Sequence, residues 1–421
     1  MKYCIIGASA AGLACAESIR QADKSGEITV FTKESSLPYS RPSISYYLKG
    51  AVGSTEMLLH PAAYYRAKGI TILTDTAVTA IDREHKVLRA GRKSYPYDKL
   101  CLCTGSKPFV PPVKNAAGKA NALTFLEIAT VKKIKAKAGK NTRAVVIGAG
   151  LIGMKAAEGL SKICKSVDVV ELAEFILPSI LDKSAAKLVK AHVEASSNIR
   201  FHLGNTVAEA KSKGTHITGV RLGSGEELPC DLLVLAVGVR PETSLAEAAG
   251  LAVERGIVTD AATMQTDDSD IYAAGDCALS LDMLDSQKKI IALWGNAVKQ
   301  GKTAGFHMAG APQQAGGAYA VNAIDFFGCR ICTCGLIHAD AAPYTSKVQQ
   351  AGGSYKKLVF CGEHLVGFVL VGASDNAGIY TSLIENQVDI TTLQGDLMDT
   401  PHIFLFEKAV RQQRLKGEES A

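Results

Sequence analysis

The stretch that decides the fold is AVVIGAGLIGMKAAEGLSKICKSVDVVE, which runs from Ala144 to Glu171. The apolar residues Ala144 to Ile147 are typical of a buried parallel strand, and Val167 to Val170 are typical of a second one. Between these strands, three glycines stand at G-x-G-x-x-G spacing and open a helical stretch. The pattern predicts a strand–turn–helix–strand unit of the kind that binds a dinucleotide.

Each glycine of this turn has its own physical role. Gly148 allows the tight turn, Gly150 lets the backbone approach a pyrophosphate, and Gly153 lets the helix pack on the strand. The first helical residues, Leu151 and Ile152, offer unpaired backbone N–H groups to the phosphates. The alternative is a glycine-rich turn that binds nothing, but both strands and a terminal acid accompany the glycines here.

The acid at the end of the second strand indicates which nicotinamide nucleotide is bound. Glu171 follows Gly148 by 23 residues, close to the roughly 20 expected of the acid that bonds the ribose 2′-hydroxyl. No arginine follows it, because the next residues are Leu172, Ala173 and Glu174. A carboxylate at this place repels a 2′-phosphate, so NADH is favoured over NADPH.

Length and composition exclude several classes of protein. A chain of 421 residues has room for about three domains. The net charge of +6 comes without a basic run interleaved with aromatic residues, so we expect no nucleic-acid partner.

The longest core-like apolar run, Leu232 to Val239, is far shorter than the roughly 18 residues of a membrane span. Eleven scattered cysteines favour reduced thiols in the cytoplasm over a disulfide framework. The first 16 residues superficially resemble a signal peptide, but their removal would delete a predicted strand.

A second and weaker dinucleotide turn opens the chain. Tyr3 to Ile6 is the predicted strand, and Gly7, Ser9 and Gly12 follow it at the same spacing. Serine in place of the middle glycine is small enough to leave the backbone approachable. The helix then starts with Ala10 and Ala11, which complete the predicted phosphate contact.

The strand after this helix supplies the ribose acid. Ile28 to Phe31 is followed by Thr32, Lys33 and Glu34, so the expected acid is Glu34, with Lys33 where the acid more often stands. Two dinucleotide turns in one chain imply two nucleotides. The economical pairing is a nicotinamide nucleotide with a flavin, which predicts FAD at the first turn and NADH at the second.

The next loop reads Leu37-Pro-Tyr-Ser-Arg41-Pro42. In this loop and in the order of its other motifs, the chain resembles the FAD-dependent pyridine nucleotide–disulfide oxidoreductases. Within them it resembles the branch of rubredoxin and ferredoxin reductases, apoptosis-inducing factor and the flavin part of nitrite reductase. The resemblance implies that Arg41 contacts the FAD pyrophosphate, a role that suits a planar, bidentate guanidinium. The alternative is a surface arginine in a turn.

The same loop lacks a cysteine. Other members of the family place there either a C-x-x-x-x-C pair or a single cysteine near Pro42 or Ser43, whereas this chain has none between Cys15 and Cys101. The resemblance therefore implies a flavoprotein without the redox-active cysteine, whose electrons leave the flavin directly.

Further positions match motifs of the family. The resemblance implies that Thr104 and Gly105 close a strand of the flavin domain and that Gly238 leaves room for the nicotinamide ribose. It also implies that Asp276, after a buried strand, contacts the ribityl and phosphate region of FAD. Trp294, the only tryptophan, either contacts the isoalloxazine ring or packs in the core.

Two positions depart from the family together. The family usually has a glutamate where this chain has Lys155, and a lysine where it has Tyr46, and the two pair at the flavin edge. A cation near that edge would favour the anionic reduced flavin by Coulomb attraction. We therefore predict Lys155 and Tyr46 as catalytic residues, against the alternative of a lysine on the solvent side of its helix.

The remainder resembles the C-terminal α+β dimerisation domain of the family. Strands are predicted at Phe326 to Gly335, Tyr355 to Cys361 and Leu365 to Val371, and a helix at Ala377 to Glu385. Cys329, Cys332 and Cys334 give three thiols where a zinc or iron–sulfur site would need four ligands, so strand packing is the preferred interpretation and no metal is predicted.

The predicted fold is α/β, with two Rossmann-like dinucleotide-binding domains of glutathione reductase type and the C-terminal α+β domain. Residues 1–110 and 238–315 would form the FAD-binding domain, 111–237 the NAD(H)-binding domain, and 316–421 the dimerisation domain. The resemblance implies a homodimeric oxidoreductase that passes hydride from NADH to FAD and electrons on to a small iron–sulfur protein, rubredoxin or ferredoxin. The alternatives are an NADH oxidase acting on oxygen and a flavoprotein whose binding to a partner is switched by reduction.

Overall fold

A computed structural model describes residues 1–313, 317–339, 341–393 and 395–399. Residues 400–421 of the predicted dimerisation domain lie outside this range. The described chain forms two compact units. One contains Met1–Val170 and Asn205–Tyr319, and the other contains Glu171–Gly204 and the described residues from Ala320 onward.

The elements follow one another as alternating strands and helices, with short hairpins between them. Up to the second glycine-rich unit they are β1 (Lys2–Ile6), α1 (Ala10–Ala22), β2 (Glu27–Phe31), α2 (Ile44–Leu48), α3 (Ala62–Ala67), β3 (Ile70–Leu73), β4 (Ala80–Asp82), β5 (Val87–Ala90), β6 (Lys93–Pro96), β7 (Lys99–Leu102), β8 (Ser106–Pro108), β9 (Ala122–Thr124), α4 (Ile128–Lys137), β10 (Arg143–Ile147), α5 (Leu151–Ser161) and β11 (Ser166–Glu171). The later elements are α6 (Lys183–Ser196), β12 (Ile199–Leu203), β13 (Val207–Lys213), β14 (His216–Leu222), β15 (Glu227–Pro229), β16 (Leu232–Leu235), β17 (Val239–Pro241), α7 (Ser244–Ala248), β18 (Ile271–Ala273), β19 (Ser280–Leu281), β20 (Lys288–Lys289), α8 (Trp294–Met308), β21 (Val321–Phe326), β22 (Cys329–Gly335), β23 (Tyr344–Ala351), β24 (Ser354–Cys361), β25 (His364–Val371) and α9 (Ala377–Glu385). Short 3-10 turns occupy Arg41–Ser43 and Ile390–Thr392.

The first glycine-rich turn belongs to a parallel sheet of order β3-β2-β1-β7-β18. Its central strand β1 is almost entirely buried, which explains its apolar sequence. Ile6, the last residue of β1, pairs in register with Phe31 on one side and Leu102 on the other. The chain order reverses between these neighbours, and a crevice at such a switch point is where open α/β sheets bind ligands. The predicted first Rossmann-like unit is confirmed.

Helices α1 and α8 pack together with unusually close backbones. A Cβ atom added at Gly301 would lie 2.2 Å from the carbonyl oxygen of Ala11, and one added at Gly305 would lie 2.4 Å from that of Cys15. Only glycine permits this approach. Helix α8 therefore supports the helix that carries the first glycine-rich turn.

The second glycine-rich turn belongs to another parallel sheet, which contains β11-β10-β16-β9 in that order. Strand β10 is central, and its last residue, Ile147, pairs with Val170 on β11 and Leu235 on β16. The turn after Ile147 thus sits at a second switch point, and it belongs to the strand–turn–helix–strand unit that the sequence predicts. Three short antiparallel sheets, β4-β5-β6, β13-β14-β15 and β19-β20, complete this unit together with a pair formed by β8 and β17.

The β8–β17 pair joins the two stretches of chain that run between the parallel sheets. Ser106 lies opposite Pro241, and Pro108 lies opposite Val239. Backbone bonds extend the pair, because the N–H of Phe109 donates to the carbonyl of Gly238 at 3.0 Å. The outgoing and returning chains are therefore held side by side.

The other unit contains the antiparallel sheet β21-β22-β25-β24-β23, with α9 against β25. Cys332 and Cys334 share one face of β22, whereas Cys329 lies on the other face because side chains alternate along a strand. Among the described residues, no group of three or more His, Cys, Asp or Glu side chains is arranged to hold a metal ion. No described helix is both long enough and apolar enough to cross a membrane.

Candidate functional site

The first turn is shaped by its outer glycines. Gly7 has a φ of +115°, and a Cβ atom there would lie 1.9 Å from the carbonyl oxygen of Cys103. A Cβ atom on Gly12 would lie 1.8 Å from the carbonyl oxygen of Gly7. Ser9 is the residue before α1, with an extended φ of −114°, and its hydroxyl does not cap the helix. The turn therefore leaves the N–H groups at the start of α1, at Ala10 and Ala11, available to a phosphate.

Next to this turn lies a small cavity that is lined by Ala8, Ser9, Thr32, Glu34, Ser36, Leu37, Pro38, Tyr39 and Arg41. Glu34 and Arg41 form a direct ion pair inside it. Tyr39 donates its hydroxyl hydrogen to Glu34 at 2.7 Å. The hydroxyl oxygen of Ser36 is buried and has no hydrogen-bond partner among the described residues. An orphaned buried hydroxyl beside a phosphate-binding turn fits a site whose remaining partner is a nucleotide.

Lys33 lies outside the lining of this cavity. Its side chain is 68% exposed, and its ammonium pairs with Glu127 at 3.0 Å. Of the two predicted neighbours at the end of β2, only Glu34 faces the cavity, together with Ser9 and Arg41. A larger surface cavity, lined by Met1, Lys99 and Tyr272 among others, lies at the opposite, amino-terminal end of the strands and contains none of the predicted site residues.

Asp276 lies after β18, and its environment favours the uncharged carboxyl. Burial raises its pKa above the ordinary range, against the hydrogen bond from Ser106 at 3.2 Å and the positive charge of Arg41, which both lower it. The preceding residue, Gly275, donates its N–H to the side-chain oxygen of Gln300 at 2.7 Å. Helix α8 therefore fixes the turn that presents Asp276.

Trp294 is the first residue of α8 and is partly buried against the core around the sheet β3-β2-β1-β7-β18. This placement is compatible with both sequence interpretations, because the remainder of the side chain is exposed at the start of the helix. Asn296, two residues on, is buried and donates to the carbonyl of Tyr319 at 3.1 Å. The role of Trp294 stays a prediction.

Thr104, Gly105 and Gly238 meet where the two chain crossings pair. The hydroxyl of Thr104 donates to the carbonyl of Glu242 at 2.5 Å, and the N–H of Glu242 donates to the carbonyl of Gly105 at 2.9 Å. Gly238 has a φ of +106°, and a Cβ atom there would meet no described atom within 4 Å. The positive φ therefore requires glycine at position 238, and the space in the direction of a Cβ atom is open.

The second turn repeats the geometry of the first and adds an opening. Gly148 has a φ of +103°, and a Cβ atom there would lie 2.4 Å from the carbonyl oxygen of Ala236. A Cβ atom on Gly153 would lie 1.9 Å from the carbonyl oxygen of Gly148. Gly150 differs, because its φ is −74° and a Cβ atom would meet nothing described within 4 Å. The open side of Gly150 is a cradle that a pyrophosphate fits.

The residues around this turn are placed as predicted along the chain. Leu151 and Ile152 form the first turn of α5. Glu171 is the last residue of β11, and its carboxylate accepts the N–H of Ala173 at 2.8 Å. That bond orients the carboxylate at the carboxyl end of the strand, where a ribose hydroxyl is expected.

Lys155 and Tyr46 are brought together. The ammonium of Lys155 lies 6.0 Å from the centroid of the Tyr46 ring. It also pairs with Glu158 at 2.9 Å, and Lys49 approaches the same carboxylate at 3.7 Å. The side chain of Lys155 is 20% exposed, so it does not lie on the open solvent side of α5.

Sequence reasoning missed five polar residues that shape these sites: Ser36, Tyr39, Ser106, Glu158 and Gln300. Tyr39 stands inside the loop motif that drew attention to Arg41, so the motif itself was a usable signal. Ser106, Glu158 and Gln300 contact residues far along the chain, such as Ser106 with Asp276, and no local pattern marks them. The buried Ser36 hydroxyl has no hydrogen-bond partner among the described residues, and its sequence position gives no signal either.

Comparison with protein families agrees with this geometry. Residues 1–301 match the family described as pyridine nucleotide-disulphide oxidoreductase. Residues 321–388 match the rubredoxin NAD+ reductase C-terminal domain.

Individual relatives cover different parts of the chain. An NADH oxidase of Methanocaldococcus jannaschii is 34% identical over 74% of this chain and 70% of its own length. A rubredoxin-NAD(+) reductase of Ectopseudomonas oleovorans is 32% identical over 66% of this chain and 72% of its own. A nitrite reductase [NAD(P)H] of Bacillus subtilis is 30% identical over 92% of this chain, which spans only 47% of that relative.

A solved structure gives the same fold. The ferredoxin reductase for the CYP199A2 system of Rhodopseudomonas palustris superposes with a TM-score of 0.85 at 27% identity, covering 92% of this chain and 95% of that one. The family match spans more than half of the chain and contains both glycine-rich turns. The chain therefore belongs to the pyridine nucleotide-disulphide oxidoreductase family.

Proposed function

We propose that this protein is an FAD-dependent oxidoreductase that takes hydride from NADH and passes electrons to a small iron–sulfur protein, rubredoxin or ferredoxin. The observation that carries the proposal is the presence of two phosphate-binding turns, each at the switch point of its own parallel sheet. Two such crevices in one compact unit suit two dinucleotides.

FAD fits the first turn. Its pyrophosphate would be held by the N–H groups at Ala10, Ala11 and Gly12 and by Arg41, once Arg41 exchanges part of its pairing with Glu34. The unsatisfied hydroxyl of Ser36 supports a ligand in the same cavity. Asp276, held near Ser106, would accept hydrogen bonds from the ribityl region.

NADH fits the second turn. The open face of Gly150 and the helix start at Leu151 would hold the pyrophosphate, and Glu171 would accept the ribose hydroxyl. Gly238 leaves space on the returning chain for the nicotinamide ribose. A carboxylate at Glu171 repels the 2′-phosphate of NADPH, which supports NADH as the donor.

The contribution of the chain to the reaction is positioning. When bound, FAD accepts a hydride from NADH and releases electrons one at a time to a one-electron acceptor. The two turns fix the two nucleotides, and the paired crossings β8 and β17 hold the chain between them in one register. Lys155 and Tyr46 place a cation and an aromatic ring one helical turn beyond the second phosphate site.

Cys15 on α1 and Cys103 after β7 support electron transfer without a thiol. The hydrogen bond with Cys101 and burial raise the pKa of the Cys103 thiol well above its usual range, and burial raises that of Cys15. Reactive cysteines need the thiolate form and some exposure, and these thiols have neither. Because the loop around Arg41 has no cysteine in its sequence, we propose that the protein lacks the redox-active cysteine.

The acceptor is proposed from three observations. The C-terminal match is to a domain of rubredoxin NAD+ reductase, and a rubredoxin-NAD(+) reductase is among the relatives. Helix α4 also presents exposed Lys132, Lys133 and Lys137, which would attract an acidic protein. The second candidate acceptor is oxygen, favoured by the 34% identity with an NADH oxidase.

Turnover distinguishes these acceptors. Purified protein is expected to carry FAD and to oxidise NADH, with reduction of rubredoxin or ferredoxin far faster than reduction of oxygen. A faster oxygen rate supports the oxidase. Reduction by NADH followed by very slow reoxidation with every acceptor supports a redox-switched binding protein, and protein that takes up no flavin contradicts all three.

We also propose a cytoplasmic homodimer. Nine of the eleven cysteines are buried and the other two are partly exposed, which suits a reducing compartment. Strand β23 is an edge strand with seven exposed residues in succession, including Val348 at 54%, and an exposed edge is a site for pairing. Light scattering on the purified protein tests the dimer, and cell fractionation tests the compartment.

A further inference from the structure

Four side chains, carried by α2, by the residue that follows α2 and by α5, form a cluster that the proposed chemistry does not yet explain. The Tyr46 cluster consists of Tyr46, Lys49, Lys155 and Glu158. Glu158 is its buried member, with 7% of the residue exposed, and its two carboxylate oxygens face the ammonium groups of Lys155 at 2.9 Å and Lys49 at 3.7 Å. Both ammonium groups also lie over the Tyr46 ring, that of Lys49 at 4.5 Å and that of Lys155 at 6.0 Å.

The cluster is held between helices in direct contact. A Cβ atom added at Gly159 would lie 2.9 Å from the Leu48 side chain, so α5 and α2 touch at the residues next to Glu158 and Lys49. A buried carboxylate between two helices costs desolvation unless it is paired. The shorter pair, with Lys155, compensates most of this cost, and the Lys49 ammonium adds to it from the other side.

The spacing relates the cluster to the ion pair that the family resemblance implies. That pair is absent at Tyr46 and Lys155, whereas an acid, Glu158 on α5, and a base, Lys49 directly after α2, each stand three residues later. Three residues are about one helical turn, so the replacements lie on the same faces. The ion pair of this chain therefore lies about one turn beyond the positions that the resemblance implies, and a cation and an aromatic ring stand at those positions.

We propose that Glu158 is a positioning residue for hydride transfer, which holds the Lys155 ammonium beside Tyr46 while Lys49 anchors the carboxylate from the other side. This inference rests on the proposed function, because it concerns the ring edge of the bound flavin. Its distinguishing feature is that Glu158 acts only through Lys155.

The test compares Glu158→Gln, Lys155→Met and the double variant in the FAD-loaded protein. Glutamine keeps the size of the side chain and removes the charge that holds Lys155. The rate constant for FAD reduction by NADH is expected to fall roughly tenfold to a hundredfold, as for a displaced positioning group. The FAD midpoint potential is expected to shift in Glu158→Gln, and the dissociation constant for NADH is expected to stay within about twofold.

The double variant separates positioning from general structure. If Glu158 acts through Lys155, Glu158→Gln has no further effect on the rate or the potential in the Lys155→Met background. Additive effects, or a Glu158→Gln protein with wild-type rate and potential, overturn the inference. Glu194→Gln is the matched control, because Glu194 pairs with Lys190 on α6 at 2.7 Å with 37% of its side chain exposed, and it should change neither quantity.

Two further measurements keep the outcome clear. If Glu158→Gln folds poorly, Lys49→Met is the second variant, because it removes only the longer ion pair of Glu158. It should also lower the rate constant for FAD reduction, but by a smaller factor. Thermal unfolding of the FAD-free variants should show that Glu158 and Lys155 are coupled. A wild-type protein that NADH does not reduce overturns the proposed function and this inference together, whereas normal wild-type reduction with additive variants overturns only the inference.

Discussion

The two glycine-rich turns have the same outer positions and differ in the middle. Gly7 and Gly148 both have φ values above +100°, and Gly12 and Gly153 both face a carbonyl oxygen closer than 2 Å to an added Cβ atom. These four glycines are therefore demanded by the chain itself, whether or not a nucleotide is bound.

The middle position is not demanded by the chain. Ser9 and Gly150 both have extended backbone with negative φ, a conformation that any residue adopts. Glycine at 150 therefore reflects what approaches the turn from outside, because its Cβ direction is open. The comparison teaches that the outer glycines build the turn and the middle residue shapes the ligand site.

The largest effect is expected for Gly153→Ala. The added Cβ atom would lie 1.9 Å from the carbonyl oxygen of Gly148, so α5 must move off β10. The free energy of unfolding should fall by roughly 3 kcal/mol or more, since backbone atoms cannot yield as a side chain can. Thermal or urea unfolding measures this, and stability equal to wild type would contradict the division between outer and middle glycines.

Gly150→Val should change binding and leave folding intact. The valine side chain has space in the ligand-free protein but occupies the path of the pyrophosphate. The NADH dissociation constant should rise by about tenfold or more, equal to about 1.4 kcal/mol, while FAD content and unfolding midpoint stay near wild type. Titration calorimetry measures the NADH dissociation constant, and absorbance measures the FAD content. Loss of folding in this variant would mean that the middle glycine is structural after all.

Asp276→Asn should separate stability from FAD affinity at the first turn. Burial raises the carboxyl pKa in the folded, FAD-free protein, so folding favours the protonated form and loses stability as pH rises through the folded pKa. The asparagine variant avoids this loss, so the FAD-free protein should be more stable than wild type at pH 7 and equally stable at low pH. Its FAD affinity should fall. Unfolding midpoints between pH 4 and pH 8 test the sign, and a less stable variant at pH 7 would contradict it.

Ser9→Gly should have the smallest effect. The hydroxyl of Ser9 does not cap α1, and its backbone is not strained. Replacement by glycine should therefore change stability by only a few tenths of a kcal/mol, and FAD affinity should stay within a factor of about two. A large gain in affinity would show that the serine narrows the first site.

Most of the fold follows from local pattern, and the side-chain contacts of the site do not. Strand β2 was predicted at Ile28 to Phe31 and forms at Glu27–Phe31, and α9 forms at the predicted residues Ala377–Glu385. Buried parallel strands between glycine-rich turns leave a strong pattern. Strand β23 left none, because an exposed edge strand with polar residues on both faces shows no alternation.

One predicted strand was too long. Phe326 to Gly335 was expected to be continuous, but the chain turns at Phe327 and Gly328, both with positive φ, and the segment belongs to two antiparallel strands, β21 and β22. At the site, Arg41 and Glu34 were predicted to face a nucleotide separately, whereas they pair with each other. The contacts of Gln300 with Gly275 and of Lys49 with Glu158 join residues that are distant in the sequence, and no spacing rule predicts such pairs.

The side-by-side crossings Ser106–Pro108 and Val239–Pro241 have a consequence for how this architecture can be rebuilt. The chain between these crossings leaves the region of the first parallel sheet at one crossing and returns at the other. The two crossings are one strand spacing apart, about 5 Å. We therefore expect that exchange of the intervening segment for the corresponding segment of another family member keeps these crossings paired, provided that the contact of α5 with Leu48 is kept. A graft at residues 107 and 240 is the natural point at which to give this chain a different electron donor.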